Sequence, residues 1–325
     1  VASTAGAMGA AGRPARGRAG LAGERRFVVT MLVPAFFFLV MFYLYPVLYN
    51  VLNSFTDLSL YGLRRGGEWV GVANYVELVQ SPDFRRVLFN TIVWLTLVGV
   101  GVRIVLGLGL ALLLNSRVVA KYRLVTVSRV LLLVPWATPP IVAIVAWRWL
   151  LHPQLGAINP ALLALGLIDQ PIAFLAERAW VWPAILTIVT WNTLPLVTLT
   201  FLAALQSLPQ EQLEAAEVDG AGHLQKLRWV VLPHLKPAII VMTLLSTFWT
   251  FNNFVYVWLT TAGGPGLYTN VMATDVYIKA FIDGRLGYSS AIGVVMAALM
   301  TAFGLVYLRV VAQRELKEAF DGGDR

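Results

Sequence analysis

Six apolar runs constrain this chain most, because each is long enough to cross about 30 Å of hydrocarbon at about 1.5 Å per helical residue. They cover residues 27–52, 87–114, 124–151, 182–205, 238–261 and 291–311. Too little polar material remains to coat a water-soluble globule: 58% of the 325 residues are hydrophobic and 13% charged, against about 25% charged in ordinary domains. The expected fold class is an all-α integral membrane protein with six transmembrane helices. Prolines and glycines inside the runs fit that class, since neighbouring helices satisfy the backbone groups they free. The third run carries Pro135, Pro139 and Pro140 and is expected to be kinked or broken. The first is too long for a signal-peptide core and lacks a small-residue cleavage pattern, so it is read as a true span.

Sixteen Lys and Arg residues fall in the N-terminal tail, the second and fourth connections and the C-terminal tail, against seven on the opposite side. That bias puts both termini in the cytoplasm. Residues 1–24 are read as a disordered tail, 25–314 as the membrane domain, 206–236 as a cytoplasmic loop within it, and 315–325 as a second tail. The net charge of +8 is thus topological, because no separate basic domain with interleaved aromatics suits a nucleic acid. The chain has no cysteine. His152, His223 and His234 lack metal-ligand spacing, and no Gly-rich run carries the Lys and Ser/Thr that cradle phosphates. Neither catalysis nor a bound metal or cofactor is expected, and the chain lacks the means to hydrolyse ATP itself.

One acidic, alanine-rich segment stands out from the grease. Ser207, Pro209 and Gln210 form a capping pattern, and Glu211 and Glu214 suit the positive end of a helix dipole. Gly220 and Gly222 permit the turn that ends the helix. A second short helix is expected over 223–231, closed by Pro233 and Pro237 before the fifth span. By itself this is a helix–turn–helix in the cytosol, and a solvated connection is the plainest reading of it.

The spacing Glu214-Ala215-Ala216, Asp219-Gly220-Ala221, Leu232-Pro233 and Lys236-Pro237 resembles the EAA loop of the membrane subunits of binding-protein-dependent ABC importers. Leu227, where that family often has an aromatic, and His234 depart from the pattern. The resemblance implies a type I importer permease fold. It also implies a second permease subunit, two copies of an ATPase subunit holding ATP and Mg, and an extracytoplasmic solute-binding protein. Glu214, Ala215, Ala216, Asp219, Gly220 and Ala221 would then seat against the ATPase. Residues 69–75, Asn90-Thr91 and Gly263-Gly264-Pro265 are similar to the sugar-importing branch, the carbohydrate uptake type I family that includes the maltose transporter.

Polar residues at membrane depth mark the place to look for solute contacts. Ser246, Trp249, Thr250 and Asn253 recur at helical spacing and are expected to share one face. They would serve as solute contacts or as helix-packing polar groups in equal measure on periodicity alone. The resemblance implies solute-contacting positions for all four, and lining positions for Asn192, Thr193 and Leu196 around Pro195. The alternative for the latter is a packed kink with satisfied polar groups. Arg103, inside the second run, costs several kcal/mol unless paired or hydrated. It is expected at the interface with the partner permease, the alternative being a contact with an anionic solute. The implied substrate is a mono-, di- or oligosaccharide, with a polyol, glycerol phosphate or sulfonated sugar as the alternative. A stand-alone secondary transporter is disfavoured by spans without acidic residues.

Overall fold

A computed structural model of the chain describes residues 18–116 and 125–321. Among these residues five helices are long and apolar enough to cross a membrane: span 1 (Val29–Asn53), span 2 (Pro82–Leu114), span 4 (Val181–Gln206), span 5 (His223–Phe251) and span 6 (Leu286–Arg309). Two more, Val127–Ala137 and Pro140–Leu150, qualify together as span 3 with a 96° bend between them. Five short helices complete the frame used here: α1 (Ala73–Gln80), α2 (Ile158–Ala164), α3 (Gln210–Val218), α4 (Val255–Thr261) and α5 (Met272–Tyr277). The chain divides after Leu52, and the second unit holds spans 2–6 and every candidate site residue. In the first, the helix begins at Arg18, inside the expected tail, whose residues 1–17 lie outside the described residues. The last helix runs on to Asp321, past the expected boundary at 315.

Span 5 corrects two expectations. Pro233 and Pro237 do not end a separate short helix, and helix continues from His223 to Phe251. A π-helical turn, Leu227–Val231, ends two residues before Pro233, and such a widened turn absorbs a missing donor without breaking the rod. The span also stops ten residues earlier than the apolar run, at Phe251, where Asn252 and Asn253 interrupt it before α4.

Spans 2 and 4 pack along a ridge of small residues. Gly99, Arg103, Gly107 and Ala111 recur every four residues and are all buried. A Cβ on Gly107 would lie 2.7 Å from Val197 Cγ1, and one on Gly99 would lie 3.2 Å from Leu186 Cδ2. Glycine therefore lets the two backbones approach, which is how helices associate where lipid removes the hydrophobic drive.

The loop motifs are clamps. Asn74 donates through Nδ2 to the carbonyls of Ser54 and Thr56 at 2.9 and 2.8 Å, Phe55 stacks on Trp69, and Tyr75 bonds Ser54. Asn90 Nδ2 donates to the carbonyls of Tyr268 and Asn270, while Thr91 Oγ1 accepts from the Met272 amide. The first set fixes α1 against residues 54–56, and the second fixes the segment after α4 against the start of span 2.

Two carboxylates nearby titrate in opposite senses. A bidentate hydrogen bond from Arg285, at 2.7 and 2.6 Å, holds Glu77 below the usual carboxylate value. Burial raises Asp275, although Asn270 donates to it at 2.9 Å. The lowered Glu77 adds stability above its unfolded value of about 4.3, and that stability is lost as pH falls through the folded value. Asp275 works the other way, favouring the fold below about 3.9 and losing that contribution as pH rises through its raised value. Asp275→Asn, which can still accept the Asn270 bond, should raise the thermal midpoint of the purified protein at about pH 7 and change it little at about pH 4. A lowered midpoint at neutral pH would contradict this. Glu77→Gln should lower the midpoint only at neutral pH, and by no more than about 1 kcal/mol because the pair is half exposed.

Candidate functional site

The acidic segment is held by its apolar side and open on its acidic one. Leu208, Leu213 and Leu227 pack on a core formed by the ends of spans 2, 4 and 5, including Leu114, Leu205 and Leu235. Glu214, Ala215, Asp219 and Gly220 are exposed, whereas Ala216 and Ala221 are half-buried. Gly220 adopts φ +77° and its amide donates to Glu217 O while that of Ala221 donates to Ala216 O, which closes α3 as a left-handed C-terminal turn. Glu217 pairs with Lys226 at 2.7 Å across the turn. The expected cap is absent: Ser207 Oγ donates to Ala204 O and bonds His234 Nε2 instead, and Pro209 precedes the helix without a side-chain cap. Val218 and Leu224 stand 88% and 77% exposed at this tip, so an apolar contact surface accompanies the carboxylates.

At membrane depth the centre of the arrangement is Asn192. Pro139 has no N–H to give Pro135 O, which keeps a 3.2 Å bond from the Thr138 amide, and the bend in span 3 leaves Thr138 O outside the helix ladder. Asn192 Nδ2 donates to both carbonyls, at 2.6 and 3.0 Å, while its Oδ1 accepts from the Tyr256 hydroxyl of α4. One buried carboxamide thus joins the broken span 3, span 4 and α4. Thr193 is half-buried and donates to Val189 O. Leu196 is half-buried and packs toward the inner core. Span 4 stays continuous through Pro195.

Ser246, Trp249, Thr250 and Asn253 do not form one stripe. Ser246 and Thr250 are 1% and 2% exposed, while Trp249 is 54% exposed. Asn253 lies past the helix end, where its Oδ1 accepts from the Tyr256 amide at 3.1 Å. Beside it, Phe254, Trp258 and Tyr277 form a group of rings with centroids 4.8–5.7 Å apart. Tyr256 and these rings escaped the sequence reading because the apolar run continues through them unmarked.

Arg103 is not at a subunit surface. Its side chain is 2% exposed within this chain alone, and Nη1 donates to Thr250 Oγ1 at 3.1 Å. The interface expectation is overturned by the glycine ridge that places Arg103 between spans 2 and 4. Arg148 donates to Leu259 O at 3.1 Å and so ties span 3 to α4. A mostly apolar groove of about 540 Å³ lies between spans 2, 5 and 6, lined in part by Thr96, Val100, Thr247, Phe251 and Met300. None of the seven expected solute residues lines it.

The profile of a family described as binding-protein-dependent transport system inner membrane component matches residues 103–316. The chain belongs to that family. It is the permease of a binding-protein-dependent ABC importer, a multi-pass inner-membrane transport component and not an enzyme. The permease is 35% identical to the sulfoquinovosyl glycerol transport system permease of Agrobacterium fabrum over 90% of this chain and 92% of that one. It is 34% identical to the trehalose/maltose transport system permease of Thermococcus litoralis over 74% of this chain and 79% of that one. Its fold matches the crystal structure of a bacterial ABC transporter involved in the import of the acidic polysaccharide alginate, with a TM-score of 0.74, 22% identity, and coverage of 91% of this chain and 99% of that one.

Proposed function

We propose that this permease forms half of the translocation pathway of an ATP-driven carbohydrate importer. The observation that carries the substrate class is the identity above 30%, over most of both chains, to permeases whose names specify a glycoside and a disaccharide. A second permease subunit completes the pathway, two ATPase subunits hold ATP and Mg, and an extracytoplasmic binding protein delivers the solute. The exposed carboxylates and apolar tip of α3 and its turn, Glu214 to Ala221, seat in the ATPase. Both termini and residues 206–236 then lie in the cytoplasm, as the Lys and Arg bias favours.

Within the pathway, Trp249 offers the flat apolar plate a sugar's CH face needs, and Asn253 stands at the break where span 5 ends. Ser246 and Thr250 close the wall behind them, and Asn192, Thr193 and Leu196 form the opposite side, with Asn192 holding the bend in place. The test is a sugar panel on the cognate binding protein, followed by uptake of the bound sugar into vesicles holding the assembled importer. Trp249→Ala should weaken uptake about tenfold or more, as expected for loss of about 1–3 kcal/mol of stacking and burial, while binding-protein-stimulated ATP hydrolysis remains. A binding protein that takes no sugar on the panel, or unchanged uptake by Trp249→Ala, would defeat the reading.

A further inference from the structure

We propose that Arg103 and Thr250 form a cationic pole on the transport route that receives an anionic oxygen group, a carboxylate or sulfonate, carried by the solute. This rests on the carbohydrate-importer reading and narrows it to an acidic sugar. The guanidinium is 2% exposed, and only Nη1 has a partner, Thr250 Oγ1. Nε and Nη2 are buried with no acceptor. Those two nitrogens are the pair whose N–H bonds run parallel on one edge of the guanidinium, the edge that grips both oxygens of a carboxylate or sulfonate.

The counter-charge has to come from outside this chain. No Asp or Glu occurs between Asp83 and Asp169, Glu177 and Glu211, Asp219 and Asp275, or Asp283 and Glu315, so spans 2 to 6 bring no carboxylate to membrane depth. A buried cation without one is costly. A residue of the partner permease resting on the surface does not reach it, because Arg103 sits on the ridge between Gly99 and Gly107 and those glycines hold span 2 against span 4. On the span 5 side the neighbour is Thr250, which holds Nη1 and is itself buried. Span 5 is also the helix that continues from the turn after α3, so movement of that rod is what opens the guanidinium edge to solute.

The absence of native cysteine permits a direct test that needs no knowledge of the sugar. Thr250→Cys, and separately Ser246→Cys one turn earlier, are introduced into the assembled importer with its binding protein and ATPases. Each is treated during ATP turnover with two methanethiosulfonate reagents of similar size, one ending in a sulfonate and one in a trimethylammonium. Rates are normalised to those with free cysteine. The sulfonate reagent should react faster by about tenfold or more, since the two probes differ by two unit charges beside a poorly screened cation. Adding Arg103→Gln should abolish that preference. Size-exclusion profiles confirm assembly, and either cysteine suffices if the other fails to assemble. No preference, a preference that survives Arg103→Gln, or no reaction during turnover would overturn the proposal. Because neither reagent is a sugar, a failure here is separable from a failure of the carbohydrate panel.

Discussion

Glu214→Lys is expected to stop uptake by the assembled importer while leaving the permease in the membrane at its normal level. Glu214 is exposed on α3, so reversing its charge disturbs no core contact within the chain, and surface changes of that kind cost about 0.5 kcal/mol or less. Against a basic partner on the ATPase the same change costs about 2–5 kcal/mol, which is enough to uncouple the two. Gly220→Pro should have the same outcome by another route. Proline fixes φ near −65°, whereas Gly220 holds +77° and donates its amide to Glu217 O, so the turn between α3 and span 5 cannot form. Solute uptake and ATP hydrolysis in reconstituted vesicles, with immunoblots for membrane level, check both variants. Normal uptake with either would remove the coupling assignment.

The second large effect concerns Asn192. Replacing it with Leu, which is similar in size, leaves Pro135 O, Thr138 O and the Tyr256 hydroxyl without their shared partner. Thr138 O and the Tyr256 hydroxyl lose their partner at about 1–3 kcal/mol each, while Pro135 O keeps the Thr138 amide, so a few kcal/mol are at stake in a fold whose whole margin is about 5–15 kcal/mol. Asn192→Leu should therefore lower the yield of folded permease and its thermal midpoint sharply. Tyr256→Phe, which removes one of the three bonds, should do so mildly. If Asn192→Leu folded as stably as the native chain and lost only transport, the residue would be a solute contact and not the fastener of the bend.

The two residues show what could be read in advance. Apolar run length is set by bilayer thickness and needs no partner information, so the spans were legible to within a few residues except where polar interruptions mattered. Span 5 was misplaced at both ends because Pro233 and Pro237 read as stops, whereas a π turn can absorb a proline and two asparagines can end a helix inside an apolar run. Helical spacing correctly put Ser246 and Thr250 on one face. It failed for Asn253 because the helix no longer existed there, and for Trp249 because i+3 drifts far enough around the helix to leave a narrow buried stripe. The ties of Asn192 to a bend more than fifty residues away, and of Arg103 to Thr250, are tertiary facts with no local signature. The Gly99, Gly107 and Ala111 spacing around Arg103 marks a face for close helix contact, but that spacing serves a helix of the same chain and a helix of a partner alike.

Span 5 joins the two ends of the problem mechanically. His223–Phe251 is one 29-residue helix, roughly 43 Å long at about 1.5 Å per residue. Its first turn adjoins the α3 tip and its last carries Thr250, the partner of Arg103. If it pivots near the tip, a tilt of about 10° displaces the far end by about 7 Å over that length, enough to uncover a side chain the size of arginine. No relay of intervening loops is needed, and the gain of such an arm depends on its stiffness. The widened turn at Leu227–Val231 is then the place where compliance would dissipate the stroke, and its rigidity sets how much of a nucleotide-driven displacement arrives at the solute.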